Sequence, residues 1–246
     1  MNKKYFMPVI MQTFLFCMLM SCTKPDAYPN ISNIDSSMNN NDSTNNANYT
    51  WLALGDSYTI GESVSEGERF PAQTISLLKK DNFNFSTLKY IATTGWTTVD
   101  LLNAIAVQNP KGPYDVVSLL IGVNDQYQHM DTAGYRIHFT QCLQKAIELA
   151  GNKIDHVFVL SIPDYSVTPF AANSDTAQIR KELDAFNAIN KEITLSYNIS
   201  YTDITPFTRD AKADASLIAG DGLHPSGKEY AKWAEALAPT VEKVLK

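Results

Sequence analysis

Residues 51–61 read "WLALGDSYTIG". Four largely apolar residues, Trp51 to Leu54, break off at Gly55, Asp56 and Ser57. A buried strand that runs into a turn exposing one hydroxyl is how several hydrolase folds present a nucleophile. Gly, Asp and Ser are also favoured in turns for purely local reasons. The stretch by itself leaves both readings open, and only partners elsewhere in the chain separate them.

Outward from this stretch the pattern alternates. Apolar runs suit buried strands at 50–54, 87–92, 115–121, 156–162 and 200–204. Helical patterns lie between them at 70–80, 97–108, 132–150 and 175–197, with a last one from about 226 to 245. In the helix at 132–150, Ile137, Cys142, Leu143, Ile147 and Leu149 approximate one apolar face, and Gly151 is a natural stop. Near-continuous apolar strands alternating with helices predict a parallel sheet covered on both faces. The expected fold is a three-layer α/β/α sandwich with a five-stranded parallel sheet, one domain over 50–246. In such a sheet ligands gather outside the carboxyl ends of the strands. An enzyme built this way needs chemically competent residues just after its strands.

They are present. Ser57 follows the first strand, Gly95 the second and "GVND" (Gly122 to Asp125) the third; "DGLHPSG" (Asp221 to Gly227) comes after the fifth. An unassisted serine hydroxyl is a poor nucleophile and needs a general base, most often His. Of the four histidines, His224 has a carboxylate, Asp221, three residues before it. In a tight turn that spacing puts the carboxylate on one ring nitrogen and leaves the other for Ser57. Pro225 and the pair Ser226…Glu229 look like the capped start of the final helix. His129, His138 and His156 lack paired ligand spacing and read as structural or surface residues, while Asp56 and Asp125 read as loop-holding carboxylates.

These ordered blocks resemble the SGNH hydrolase superfamily, the GDSL-type esterases and lipases, over residues 52 to about 237. "GDSY" is similar to its nucleophile block, Gly95 in "ATTGWTT" to its glycine block, "GVND" to its asparagine block and "DGLHPS" to its Asp-x-x-His block. The resemblance implies a Ser57–His224–Asp221 triad, with an oxyanion hole formed by the Ser57 and Gly95 amides and the Asn124 side chain. It implies no metal and no organic cofactor. Tyr58 stands where the family usually has Leu, and Tyr58, Trp96 and Tyr127 are candidates for the pocket wall. Small acyl esters, acetylated glycans and lysophospholipids are all candidate substrates. The same triad would serve an acyltransferase, and a non-catalytic surface-binding protein and a structural envelope protein are the remaining alternatives.

The N-terminus has a different character. Lys3 and Lys4 precede an apolar run from Tyr5 to Met20 that ends in "LMSC", Leu19 to Cys22. The run is shorter than the ~20 residues of a membrane-spanning helix. It resembles a bacterial lipoprotein signal over 1–21, with Cys22 as the acylated residue. Residues 22–49 then carry eight asparagines and four serines with almost no aliphatic run, which predicts a flexible tether. Its ends would sit ~30 Å apart. The expectation is an exported, lipid-anchored protein of the bacterial cell envelope, touching membrane through that anchor only.

Cysteine usage agrees with export without disulfides: Cys142 is alone in the domain, and no Cys/His cluster suggests zinc. The net charge is −6, and removing residues 1–50 leaves 17 basic against 23 acidic groups. No basic stripe is present, which disfavours nucleic acid and electrostatic docking on anionic lipid. A monomeric domain acting on a small-molecule or glycan ester is the expected state.

Overall fold

The computed structural model describes residues 48–246. The signal segment, Cys17, Cys22 and the tether as far as residue 47 lie outside the described residues. In chain order the elements are β1 (Asn48–Gly55), α1 (Ser57–Ile60), α2 (Phe70–Leu78), β2 (Asn84–Ala92), α3 (Thr98–Gln108) and β3 (Val116–Leu120). They continue with α4 (Val123–Tyr127), α5 (Thr132–Leu149), β4 (Val157–Leu160), α6 (Thr176–Ser196), β5 (Ser200–Thr202), α7 (Thr205–Arg209) and α8 (Gly227–Leu245). Short 3-10 turns join several of them.

All five strands are parallel, in the order β2-β1-β3-β4-β5. The chain leaves β1 toward one edge to make β2, then crosses back to make β3. The gap between the carboxyl ends of β1 and β3 is therefore the switch point, where the two connections diverge and leave a crevice. Helices α2 and α8 pack together as one layer, and α5 lies between α3 and α6 in the other. Among the described residues no helix is long and apolar enough to cross a membrane.

The central strands are buried along their length, as a sheet covered on both faces requires. Trp51 to Leu54, all of β3 and all of β4 are in the core, and the Trp51 indole N–H donates to Ser118 Oγ at 3.0 Å. Gly55 ends β1 where no side chain fits: a Cβ there would meet Thr59 Oγ1 at 2.1 Å and the Leu120 carbonyl oxygen at 2.3 Å. Cys142 is fully buried with its Sγ against the Thr98 carbonyl, a packing thiol.

Three expectations need correction. Asn48 and Tyr49, read as tether, belong to β1. They pair with Asn84 and Phe85, and the Tyr49 hydroxyl donates to the Leu245 carbonyl at 3.0 Å. On α5 the buried face runs through Tyr135, Phe139, Cys142, Ala146 and Leu149, whereas Ile137 is 58% exposed. The two aromatic rings, one turn apart and tilted by 42° with centroids 5.6 Å apart, set the face and rotate Ile137 out. At the start of α8 only half of the capping box forms. Ser226 caps the Glu229 amide, but the buried Glu229 carboxylate accepts from the Trp233 indole at 2.8 Å instead of reaching back.

Candidate active site

Ser57 is the first residue of α1, directly after the fully buried Asp56 that caps it. Asp56 Oδ1 accepts from the Tyr58 amide at 3.0 Å, and Oδ2 is buried without a partner. Burial pushes the Asp56 carboxyl up to about 8, with the charge of Asp125 adding to it and the Tyr58 amide working against it. Near neutrality this carboxyl keeps its proton. A neutral cap holds the serine turn without placing an anion beside Ser57.

On the far side of the switch point, α4 follows β3 and carries Asn124. Its Nδ2 donates to the Trp96 carbonyl at 2.9 Å, which fixes the orientation of the amide. A carboxamide nitrogen has two hydrogens, so one remains for a ligand. Asp125 points away and accepts from the Thr98 backbone amide at 2.9 Å and from the Thr98 hydroxyl, tying α4 to α3. Gly95 sits at φ 85°, in the left-handed region, and a Cβ there would meet no protein atom. The requirement for glycine is one of backbone conformation with open space above it.

His224 and Asp221 come from the loop before α8. The His224 Nδ1 stands 2.6 Å from Asp221 Oδ2. Asp221 Oδ1 accepts from the backbone amides of Leu223 and His224 at 2.9 and 3.0 Å. Burial opposes charge on Asp221. The Ser63 hydroxyl, the His224 ring and the two amides outweigh it and hold the carboxyl well below the usual range. With Nδ1 facing a carboxylate, the proton sits there and the lone pair is on Nε2. The Tyr58 ring lies 5.3 Å from the His224 ring, tilted by 58°, and Tyr58 is itself held by the Tyr230 hydroxyl donating to its carbonyl at 3.0 Å.

These groups converge. Ser57, Tyr58, Gly95, Asn124, Tyr127 and His224 line one cavity of about 150 Å³ at the switch point, together with Thr94, Val123, Tyr165, Phe170 and Leu223. Asp221 stands behind His224. Trp96, expected in the wall, is not among the lining residues. It packs against the core with its carbonyl turned to Asn124. Sequence reasoning missed Ser63, Tyr165 and Phe170. The last two belong to 3-10 turns after β4, where no periodicity marks them, although apolar side chains in a segment following a strand's carboxyl end were a usable signal. Among the described residues no group of three or more His, Cys, Asp or Glu is arranged to hold a metal ion.

A parallel sheet with a serine turn, an Asp-held histidine and an oriented carboxamide around one switch-point cavity defines an acylhydrolase architecture. The chain belongs to the GDSL-like lipase/acylhydrolase family, whose model matches residues 53–232, and is a carboxylic ester hydrolase of that type. The fold is similar to TesA, at 17% identity and TM-score 0.61, covering 79% of this chain and 99% of that one. It is also similar to the psychrotrophic esterase EstA from Pseudoalteromonas sp., at 15% identity and TM-score 0.61, covering 80% and 99%. A third likeness is to Axe2, an acetylxylan esterase from Geobacillus stearothermophilus, at 19% identity and TM-score 0.57, covering 78% and 94%. No curated protein matches the chain.

Proposed function

We propose that this acylhydrolase cleaves esters of short acyl groups by a serine mechanism. Ser57 Oγ attacks the ester carbonyl carbon while its proton passes to His224 Nε2. The oxyanion is held by the Ser57 and Gly95 backbone amides and by the remaining Asn124 N–H. Collapse of the tetrahedral adduct expels the alcohol, which takes the proton from His224, and leaves an acyl group on Ser57. Water, activated by the same imidazole, then releases the acid. Asp221 keeps the ring in the required tautomer and stabilises the imidazolium without taking the proton itself.

The observation that carries the short-acyl reading is the cavity. Its volume of about 150 Å³, walled by Tyr58, Tyr127, Tyr165 and Phe170, is that of a void able to take benzene, roughly a six-carbon group. The small volume of this cavity favours an acetyl ester over a fatty one, and a glycan esterase stands among the similar folds beside lipolytic proteins. The test is a panel of p-nitrophenyl esters from acetyl to dodecanoyl. The reading expects kcat/KM to peak between two and four carbons and to fall steeply beyond six. A maximum at ten carbons or more would sink it.

The N-terminal segment supports a further part of the same reading, that the enzyme is exported and held to the bacterial envelope through an acylated Cys22 and a tether. Mass spectrometry of the mature chain tests this directly: an unmodified Cys22 or a retained signal segment contradicts it. Stable anchoring needs more than one acyl chain, since a single chain binds only marginally.

A further inference from the structure

The segment after β4 makes two consecutive 3-10 turns, Tyr165–Val167 and Pro169–Ala171. It separates two depressions. Phe170, 49% exposed, lines the cavity at Ser57, while its neighbour Pro169 lines a second depression of about 600 Å³. The second one is walled by this segment, by the first turns of α6 and by residues 211–218. It shares no residue with the catalytic cavity.

Its lining has a chemical character of its own. Ser166, Thr168 and Thr176 bring hydroxyls, and the Ser166 Oγ is buried without a hydrogen-bond partner. Two cations, Arg180 and Lys212, stand in the same wall. The acids flanking Lys212 are engaged elsewhere: Asp210 with Lys232 at 2.6 Å and Asp214 with Lys228 at 2.7 Å. Among the described residues Lys212 has no acidic partner. Arg180 meets the buried Asp164 only through Nε at 3.4 Å, because Arg209 Nε already holds the same oxygen at 2.7 Å. Its two terminal nitrogens have no acceptor among the described residues. α6 begins in this wall, its N-terminus capped by the Asp175 carboxylate, which accepts from the Gln178 amide at 3.0 Å.

We infer that this depression is a binding subsite for a carboxylate-bearing sugar, such as a uronate, on the glycan whose ester is held at Ser57. The inference rests on the esterase reading and names the alcohol part of its substrate. A planar guanidinium with two unpartnered nitrogens suits a carboxylate held by parallel hydrogen bonds, and Lys212 adds a second charge. The hydroxyls suit a polyhydroxylated ring. A polymer passing from one depression to the other crosses the exposed Phe170 ring, whose face takes the C–H face of a sugar.

The test compares two acetylated oligosaccharides of equal length, one neutral and one carrying uronates, with p-nitrophenyl acetate as a substrate too small to reach the subsite. The wild type should prefer the uronate substrate about tenfold in kcat/KM, mainly through KM, and lose the preference as salt rises. Lys212→Glu should abolish the preference and leave p-nitrophenyl acetate turnover unchanged; Arg180→Gln should reduce the preference. Calorimetric titration of the deacetylated uronate oligosaccharide reads the subsite without catalysis, so failure of the esterase reading and failure of the subsite are separable. Equal kcat/KM for the two glycans, or tighter binding of anionic phospholipid vesicles than of the uronate oligosaccharide, would overturn the inference.

Discussion

Ser63 and Asp221 meet across 158 positions of sequence: the Ser63 hydroxyl donates at 2.6 Å to Asp221 Oδ2, the same oxygen that faces His224 Nδ1 at 2.6 Å. Ser63 sits in a loop that also touches the turns at Ser57 and Gly95. The Glu62 amide donates to the Ser57 carbonyl at 3.0 Å, and its carboxylate accepts from the Thr94 hydroxyl beside Gly95. The loop holds an uncommon conformation, with φ 67° at Gly61 and 65° at Ser63. Ser57, Asp221 and the turn at Gly95 are thus fastened by one short connection.

That sharing has a kinetic consequence. The Ser63 hydroxyl draws charge from the oxygen that stabilises the imidazolium, so Ser63→Ala leaves His224 facing a stronger acceptor. The acid limb of kcat/KM, set by protonation of the base, should move to higher pH, and kcat should fall by about tenfold as Asp221 loses one of its restraints. Ser63→Asn keeps a donor and tolerates the left-handed backbone, so it should restore much of both. A pH–rate profile for the three proteins decides the matter. An unmoved limb in Ser63→Ala means the hydroxyl serves the loop alone.

Asn124 should fail differently, because it does not titrate. Asn124→Ala removes a donor used mainly in the transition state, and kcat should fall by about 10²–10³ with the acid limb left in place. Asp221→Asn should disturb both rate and limb. If Asn124→Ala raised KM with an unchanged kcat, the carboxamide would be a ground-state binding group and not an oxyanion donor.

Tyr58 occupies a wall position that a leucine would leave more open. Its ring is buried between His224 and the cavity. Tyr58→Leu should raise kcat/KM for hexanoyl relative to acetyl esters by about tenfold, the scale of one or two methylenes in an apolar pocket. The ratio of the two specificity constants measures it. An unchanged ratio would place the acyl chain against another wall.

Asp56 links the site to stability. Its folded value near 8 lies above the ~3.9 of an unfolded aspartate, so between these pH values the folded chain keeps a proton that the unfolded chain releases. Its contribution therefore declines as pH rises from about 4 to about 8. Asp56→Asn keeps the cap and abolishes the titration. The Tm difference between variant and wild type should grow in favour of the variant across that window. A difference that stays flat with pH would mean Asp56 is ionised in the fold.

The legibility of the chain follows from where each element sits. Strands β1, β3 and β4 are buried on both faces, so their apolar runs announce them; the edge strands β2 and β5 are half exposed, and their ends were less distinct. Helices α1, α4 and α7 span four or five residues, too few for a period to register. Ser57, Gly95, Asn124 and His224 stand out in the sequence because each follows a strand or sits in a dense motif, and one cavity gathers them. Ser63 carried no such mark, since a serine at positive φ in a polar loop gains its meaning only from a carboxylate 158 positions away. Trp96 was misread for the converse reason: it is Trp96's carbonyl, not its ring, that serves the site.

The central claim is that Ser57 is the nucleophile, and covalent capture by a fluorophosphonate tests it most directly. Intact-mass and peptide analysis of the labelled protein should place a single adduct on Ser57. Ser57→Ala should lose both the label and ester turnover while retaining the wild-type Tm. An adduct on another serine, with turnover surviving in Ser57→Ala, would contradict the account.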